Sequence, residues 1–233
     1  MIECAHELGV KVAAHAAGAP AITSLLRFGV DSIEHGCGLL HVAKKGRERS
    51  SSTAHIVQQH QKSKPIFWAP TLSAYEATGS TVIFNEAAAS FKKVLEEEKS
   101  GASSVSIVCG GDTGVFSHGL NARELQLMVK LGAPWRDVLS WSTYRGWLCV
   151  RSMDWEGLQG EERLSRVSSL GEARGVVGEN EMPFGVIKKG FSADLIATTG
   201  DFEKDFDGAV SKESINFVMK CGRVYKKDGK PIL

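Results

Sequence analysis

Two histidines and one aspartate stand where the local pattern of this sequence could do chemistry. Residues 10–14 form a short apolar run with β-branched members, and His15 closes it. Residues 16–20 are small and turn-prone, and residues 21–28 carry apolar side chains at 21, 22, 25, 26 and 28, which suits a helix with one buried face. Gly29 is a good C-terminal stop. Residues 30–34 read as a second strand, ended by His35-Gly36. Two parallel strands joined by one helix bring their C-terminal ends side by side. His15 and His35 should therefore project from neighbouring strand ends at one rim of a sheet, where α/β barrels keep their chemistry. Further on, S-V-S-I-V-C at 104–109 reads as a buried strand that runs into G-G-D-T-G and holds Asp112 between glycines. Imidazoles and a carboxylate can pass protons or bind a divalent cation. His15 taken alone reads more readily as a structural histidine than as a site residue.

The elements that must position these groups come in β/α order. Residues 2–8 look like the last turns of a helix, and 65–72 (P-I-F-W-A-P-T-L) form the next clear strand. Residues 81–99 are a long helix candidate and 121–131 an amphipathic one, with Asn121 as its cap and Glu124 as a capping-box partner. Pro134 opens another helix expected to run through Trp147, with Trp135, Trp141 and Trp147 packing along it. Short strands at 185–187, 193–198, 215–220 and 223–226 follow, with Cys221-Gly222 as a tight hairpin turn. Residues 38–64 are basic, rich in serine and weakly periodic, and are expected to be a mobile loop or insertion. Residues 151–182 read as a polar excursion with some helix.

Composition narrows the function classes. In 233 residues the net charge is +1, so no bulk pull toward nucleic acid or a membrane surface is implied. No apolar run approaches a membrane span and no signal-peptide pattern is present, which makes the cytoplasm the expected location. The five cysteines are scattered and never form C-x-x-C, so reduced thiols are expected rather than a disulfide frame. Cys109 has no base placed beside it and reads as core. His6, His41, His55 and His60 read as surface residues.

Four stretches together resemble the amidohydrolase superfamily of metal-dependent hydrolases, in particular its imidazolonepropionase-like and ochratoxinase-like branch. They are V-A-A-H-A-A-G-A-P-A-I at 12–22, V-D-S-I-E-H-G at 30–36, G-G-D-T-G-V-F-S-H-G-L-N-A-R-E-L at 110–125 and G-V-I-K-K-G-F-S-A-D-L-I-A at 185–197. P-T-L-S-A-Y at 70–75 and V-M-K-C-G-R-V-Y-K at 218–226 also fit. Each is weak alone, and their order and spacing carry the likeness. The resemblance implies an α/β fold, a partial (β/α)8 TIM-type barrel over 1–182 and a small C-terminal β-sandwich portion over 183–233. It implies that His15, His35 and Asp112 end strands five, six and eight, as ligands of Zn2+ or another divalent metal, with Asp112 and His35 also catalytic. His118, in the loop after Asp112, is either a substrate-facing residue or a solvated one. The expected substrate is a small amide, cyclic amide or dipeptide, and self-association is left open.

The sequence also departs from the family. The first-strand H-x-H is absent throughout, and the strand that would carry the bridging lysine would lie before Met1. The expectation is the C-terminal half of an amidohydrolase with an incomplete metal site. The other reading is a non-catalytic half-barrel that needs a partner.

Overall fold

The computed structural model describes residues 1–39, 41–42, 65–170 and 182–232. Most of the 38–64 segment thus lies outside the described residues, so the loop expectation is not addressed over that stretch. Its start is packed: Leu39 is buried, and Gly38 N–H donates to Ala17 O at 2.8 Å. The chain forms two compact units, Met1–Ala133 and Pro134–Leu233.

The first unit is built on four parallel strands. They are β1 (Ala13–Ala16), β2 (Ser32–His35), β3 (Phe67–Ala69) and β4 (Ser106–Ile107), hydrogen-bonded in that order. All pairings are parallel, with His15 opposite Glu34 and Ala16 opposite His35. Helix α1 (Ile2–Glu7) precedes β1, and α2 (Ala19–Phe28) joins β1 to β2. Gly29 at φ 70° ends α2, while Ile22 and Leu26 bury its inner face. β3 is buried along its whole length, as a strand covered on both faces must be. Helices α3 (Leu72–Ala77) and α4 (Thr81–Lys99) connect it to β4, and α5 (Ala122–Lys130) follows. In α4 the residues Ala87, Ala88, Phe91, Val94 and Leu95 form the buried stripe, and the Ser80 hydroxyl accepts from Ile83 N–H at its start. Phe91 packs against Trp68 of β3, with ring centroids 6.4 Å apart.

The strands are shorter than their apolar runs suggest, and each sheds residues at its N-terminal end. At that end Asp31 is buried and accepts from Val12 N–H at 2.8 Å, with His6 Nε2 at 2.7 Å. His6 is therefore a structural partner of a buried carboxylate and not a simple surface residue.

In the second unit α6 (Trp135–Ser142) and α7 (Tyr144–Val150) replace the single helix expected from Pro134 to Trp147. The break falls at Thr143, whose backbone leaves the helical region at φ −119°, ψ −93° and whose hydroxyl donates to Leu139 O at 2.6 Å. A short 3₁₀ turn (Met153–Trp155) and α8 (Gly157–Leu170) follow, and Trp147, Trp155 and Val167 form a buried cluster. The strand expected at 185–187 does not form. Gly185 has φ 93°, and its backbone passes so close to Thr143 and Tyr144 that no Cβ fits there. An antiparallel sheet closes the chain: β5 (Leu195–Thr198), β6 (Ile215–Lys220), β7 (Arg223–Lys227) and β8 (Lys230–Pro231). The short helix α9 (Phe206–Ala209) lies between β5 and β6. Cys221-Gly222 turns β6 into β7 with both φ angles positive, as expected, and Asp228-Gly229 does the same between β7 and β8. Among the described residues neither sheet closes into a barrel or doubles into a sandwich. No helix among them is long and apolar enough to cross a membrane.

Phe91 is the fully buried link between α4 and β3. Phe91→Ala should therefore lower the unfolding free energy by about 3–5 kcal/mol. Urea unfolding followed by fluorescence measures this, and a loss near zero would mean that α4 does not pack on the sheet.

Candidate active site

The C-terminal ends of the four parallel strands carry a row of polar side chains: His15 on β1, His35 on β2, Thr71 just beyond β3 and Asp112 beyond β4. The register explains the first contact. Residues at neighbouring parallel strand ends sit within reach, and His15 Nδ1 lies 2.6 Å from His35 Nε2 with the rings stacked at 4.7 Å and 22°. His35 Nδ1 in turn lies 2.7 Å from Thr71 Oγ1, and the Tyr75 ring meets His35 edge-on at 6.1 Å.

Three of these residues have left-handed backbone: His35 at φ 70°, Thr71 at 51° and Asp112 at 60°. Histidine and aspartate tolerate this region better than most, but a β-branched threonine is strained there. The His35-Gly36 turn is clamped from below. Trp68 Nε1–H donates to His35 O at 2.9 Å, and the indole fills the space that a Cβ on Gly36 would need.

Counting donors fixes the direction of the hydrogen-bonded chain. Thr71 is buried, and His35 Nδ1 is its side chain's hydrogen-bond partner. A buried hydroxyl hydrogen needs an acceptor, so Thr71 O–H donates to His35 Nδ1. In that arrangement a neutral His35 would carry its proton on Nε2 and donate it to His15 Nδ1. His15 is exposed to solvent, and its Nε2 would then be the donor end of the row. The row ends in a donor that can bind a carbonyl oxygen.

Behind the row lies a buried carboxylate. Glu124 of α5 is fully buried; its Oε1 accepts from Leu72 N–H at 2.9 Å, and its Oε2 from Ser73 N–H at 2.7 Å and Ser73 Oγ–H at 2.8 Å. The Ser73 hydroxyl also lies 3.0 Å from Gly111 O. Glu124 is thus not the capping-box partner of Asn121. Asn121 Oδ1 accepts instead from the Thr113 hydroxyl at 3.0 Å. Glu124 shares the stripe of Leu127, Met128 and Leu131, the one signal in the sequence that this carboxylate faces inward. Arg123 pairs with both oxygens of Glu76, which holds the Glu76 carboxyl below its usual range. Burial, and secondarily Glu124, raises the Cys109 thiol well above its ordinary value, consistent with a packing role.

Of the four side chains nominated from sequence, the two histidines meet directly. Asp112 is exposed, and His118 is exposed in a turn before α5; neither bonds to the histidine pair. Among the described residues no three histidine, cysteine, aspartate or glutamate side chains converge to hold a metal ion. A zinc site wants at least three protein ligands. Among the described residues the histidine pair meets without a third ligand beside it, one short of that number. Thr71, Glu124 and Tyr75 were not singled out as site residues by sequence.

No protein-family model and no curated protein matches the chain. Solved structures do. A Xaa-Pro dipeptidase with methionine in its active site aligns over 97% of this chain and 47% of its own, at 22% identity and TM-score 0.61. Ochratoxinase from A. niger aligns over 97% and 44%, at 20% identity and TM-score 0.63. An amidohydrolase aligns over 97% and 47%, at 20% identity and TM-score 0.57. At such identities the likeness is one of fold. This chain has the fold of the C-terminal half of an amidohydrolase-like protein, and it spans about half the length of these structures.

Burial pushes the Glu124 carboxyl up to about 7, against the Ser73 and Leu72 hydrogen bonds that favour its ionised form, and Glu76 adds to the rise. The unfolded chain would titrate near the ordinary value of 4.5. Between these values the folded state holds more protons, so stability contributed through Glu124 falls as pH rises across that window. The full effect is about 3 kcal/mol at most. Urea unfolding across the window should show this decline relative to Glu124→Gln. A parallel pH dependence in both proteins would refute it.

Proposed function

We propose that the strand-end row is part of a site that hydrolyses carbon–nitrogen bonds in small amides, cyclic amides or dipeptides. The carrying observation is the hydrogen-bonded chain Thr71–His35–His15 on adjacent parallel strand ends, with Asp112 beyond the fourth strand. The dipeptidase and ochratoxinase among the similar structures support this substrate class. In this reading the sheet contributes half of a (β/α)8 barrel. By that family architecture residues 1–182 are the barrel portion and 183–233 the β-sandwich portion, a division distinct from the packing units.

The residues divide the work by type. The outward His15 N–H, backed by His35, hydrogen-bonds the substrate carbonyl and stabilises charge that develops on its oxygen. The Asp112 carboxylate takes a proton from the attacking water and returns it to the leaving nitrogen. His118 faces the substrate from the following turn. Zn2+ belongs to this reading only in an assembly that adds further ligands, which would displace the outward His15 proton. The near-neutral net charge and the five cysteine thiols suit a cytoplasmic enzyme of small substrates.

A second reading is a non-catalytic half-fold in which the histidine pair is a structural contact between strand ends. One assay separates them. The 233-residue chain, alone and combined with the other half of the amidohydrolase-like fold, is given N-acyl amino acids, dipeptides and cyclic imides with and without Zn2+. The chain alone should turn over no faster than its His15→Ala variant. The combined protein should be active, and Asp112→Asn should lower kcat by about 10²–10⁴-fold. Activity indifferent to Asp112, or none in the combined protein, sinks the hydrolytic reading.

A further inference from the structure

Glu124 touches none of the groups proposed to do chemistry, yet each hydrogen bond made by its carboxylate leads to one of them. Leu72 and Ser73 are the first two residues of α3, directly after Thr71. Their N–H groups would be orphaned at a helix start, and Glu124 accepts both. That fixes the peptide that follows Thr71 and holds the strained φ of 51° from which the Thr71 hydroxyl reaches His35. The second arm runs through Ser73, whose single hydroxyl hydrogen is shared between Glu124 Oε2 at 2.8 Å and Gly111 O at 3.0 Å, the carbonyl one residue before Asp112.

Resting on the hydrolytic reading of the row, we propose that Glu124 is a positioning residue: a single buried carboxylate sets the His35 tautomer through Thr71 and the conformation at Asp112 through Ser73. Burial supports this. A fully buried carboxylate with three donors from one short segment cannot shift without leaving polar groups unsatisfied. The two-armed geometry separates its effects. Thr71→Val removes the hydroxyl that donates to His35 but leaves Ser73 in place. Ser73→Ala removes the bridge to Gly111 but leaves Glu124 bonded to both N–H groups. Glu124→Gln keeps the shape but turns one acceptor oxygen into an NH₂ donor, so the bonds from Leu72 and Ser73 cannot all be kept and the segment that both arms share is disturbed.

The test is NMR on the intact chain, with no substrate and no metal, so it reads positioning whether or not the chain hydrolyses anything. Imidazole ¹⁵N shifts report the His35 tautomer, and the Asp112 amide shift and hydrogen exchange report its turn. The wild-type protein should show His35 bare at Nδ1 and protonated at Nε2. Thr71→Val should average the two nitrogens with Asp112 unchanged, and Thr71→Ser should restore the single tautomer. Ser73→Ala should move Asp112 alone. Glu124→Gln should move both. If Glu124→Gln fails to fold, the Thr71 and Ser73 variants still decide: a His35 protonated at Nδ1, or two variants without these separate effects, overturns the proposal. Should the NMR pattern hold while the combined protein shows no turnover, the hydrolytic reading fails and the positioning stands. Should turnover occur, Glu124→Gln lowers kcat by about 10–100-fold with KM unchanged.

Discussion

Removing a carboxylate from water is unfavourable unless donors surround it, and the strand-end row depends on one that is so surrounded. Glu124 receives hydrogen bonds from Leu72 and Ser73, which are 52 and 51 residues away in sequence. Those bonds join α5 to the start of α3 and, through the Ser73 hydroxyl, to the loop beyond β4. The Arg123–Glu76 pair links the same two helices at a half-exposed position and is bidentate. It adds orientation, but a solvent-exposed pair of this kind contributes about 1 kcal/mol or less. The buried carboxylate is therefore the stronger constraint on where α3 begins.

From the start of α3 the constraint passes along the rim. Thr71 is bonded to His35, and His35 to His15, so the positions of three side chains follow from one anchored peptide. Trp68 acts from the opposite side. Its indole holds the carbonyl of His35 and occupies the space beside Gly36, so the turn after β2 has little room to adopt another path. The histidine contact is thus determined from above by a hydroxyl and from below by an indole.

His15, His35 and Asp112 could be found in the sequence because strand ends can be inferred from local pattern: an apolar run, a turn, and a polar residue at the break. The limits expected for α4, 81–99, are those observed. Glu124 was not legible, because the capping-box reading competes with its place on the apolar stripe, and the contacts that decide between them lie some 50 residues away. The helix break at Thr143 was hidden for a similar reason. Nothing in the apolar pattern changes there, and the turn is made by one side chain bonding back to Leu139. At Gly185 a β-like run is overruled by close backbone packing against Tyr144. The Cys221-Gly222 hairpin turn, in contrast, was legible from the turn signal between two short strands.

The backbone strain bears on which functional reading the rim favours. Among the described residues, left-handed positions are mostly filled by glycine. Five are not, and two of those, Cys221 and Asp228, precede a glycine in tight hairpin turns. The other three are His35, Thr71 and Asp112, all at the C-terminal edge of one sheet. Each costs about 1–2 kcal/mol relative to glycine in the same conformation, with threonine at the upper end. A purely structural rim would be more stable with glycine at these places, and the chain uses glycine for the same purpose elsewhere. What glycine cannot supply is an imidazole, a hydroxyl or a carboxylate. The strain coincides with the side chains that form or border the hydrogen-bonded row, which is the pattern the proposed site calls for.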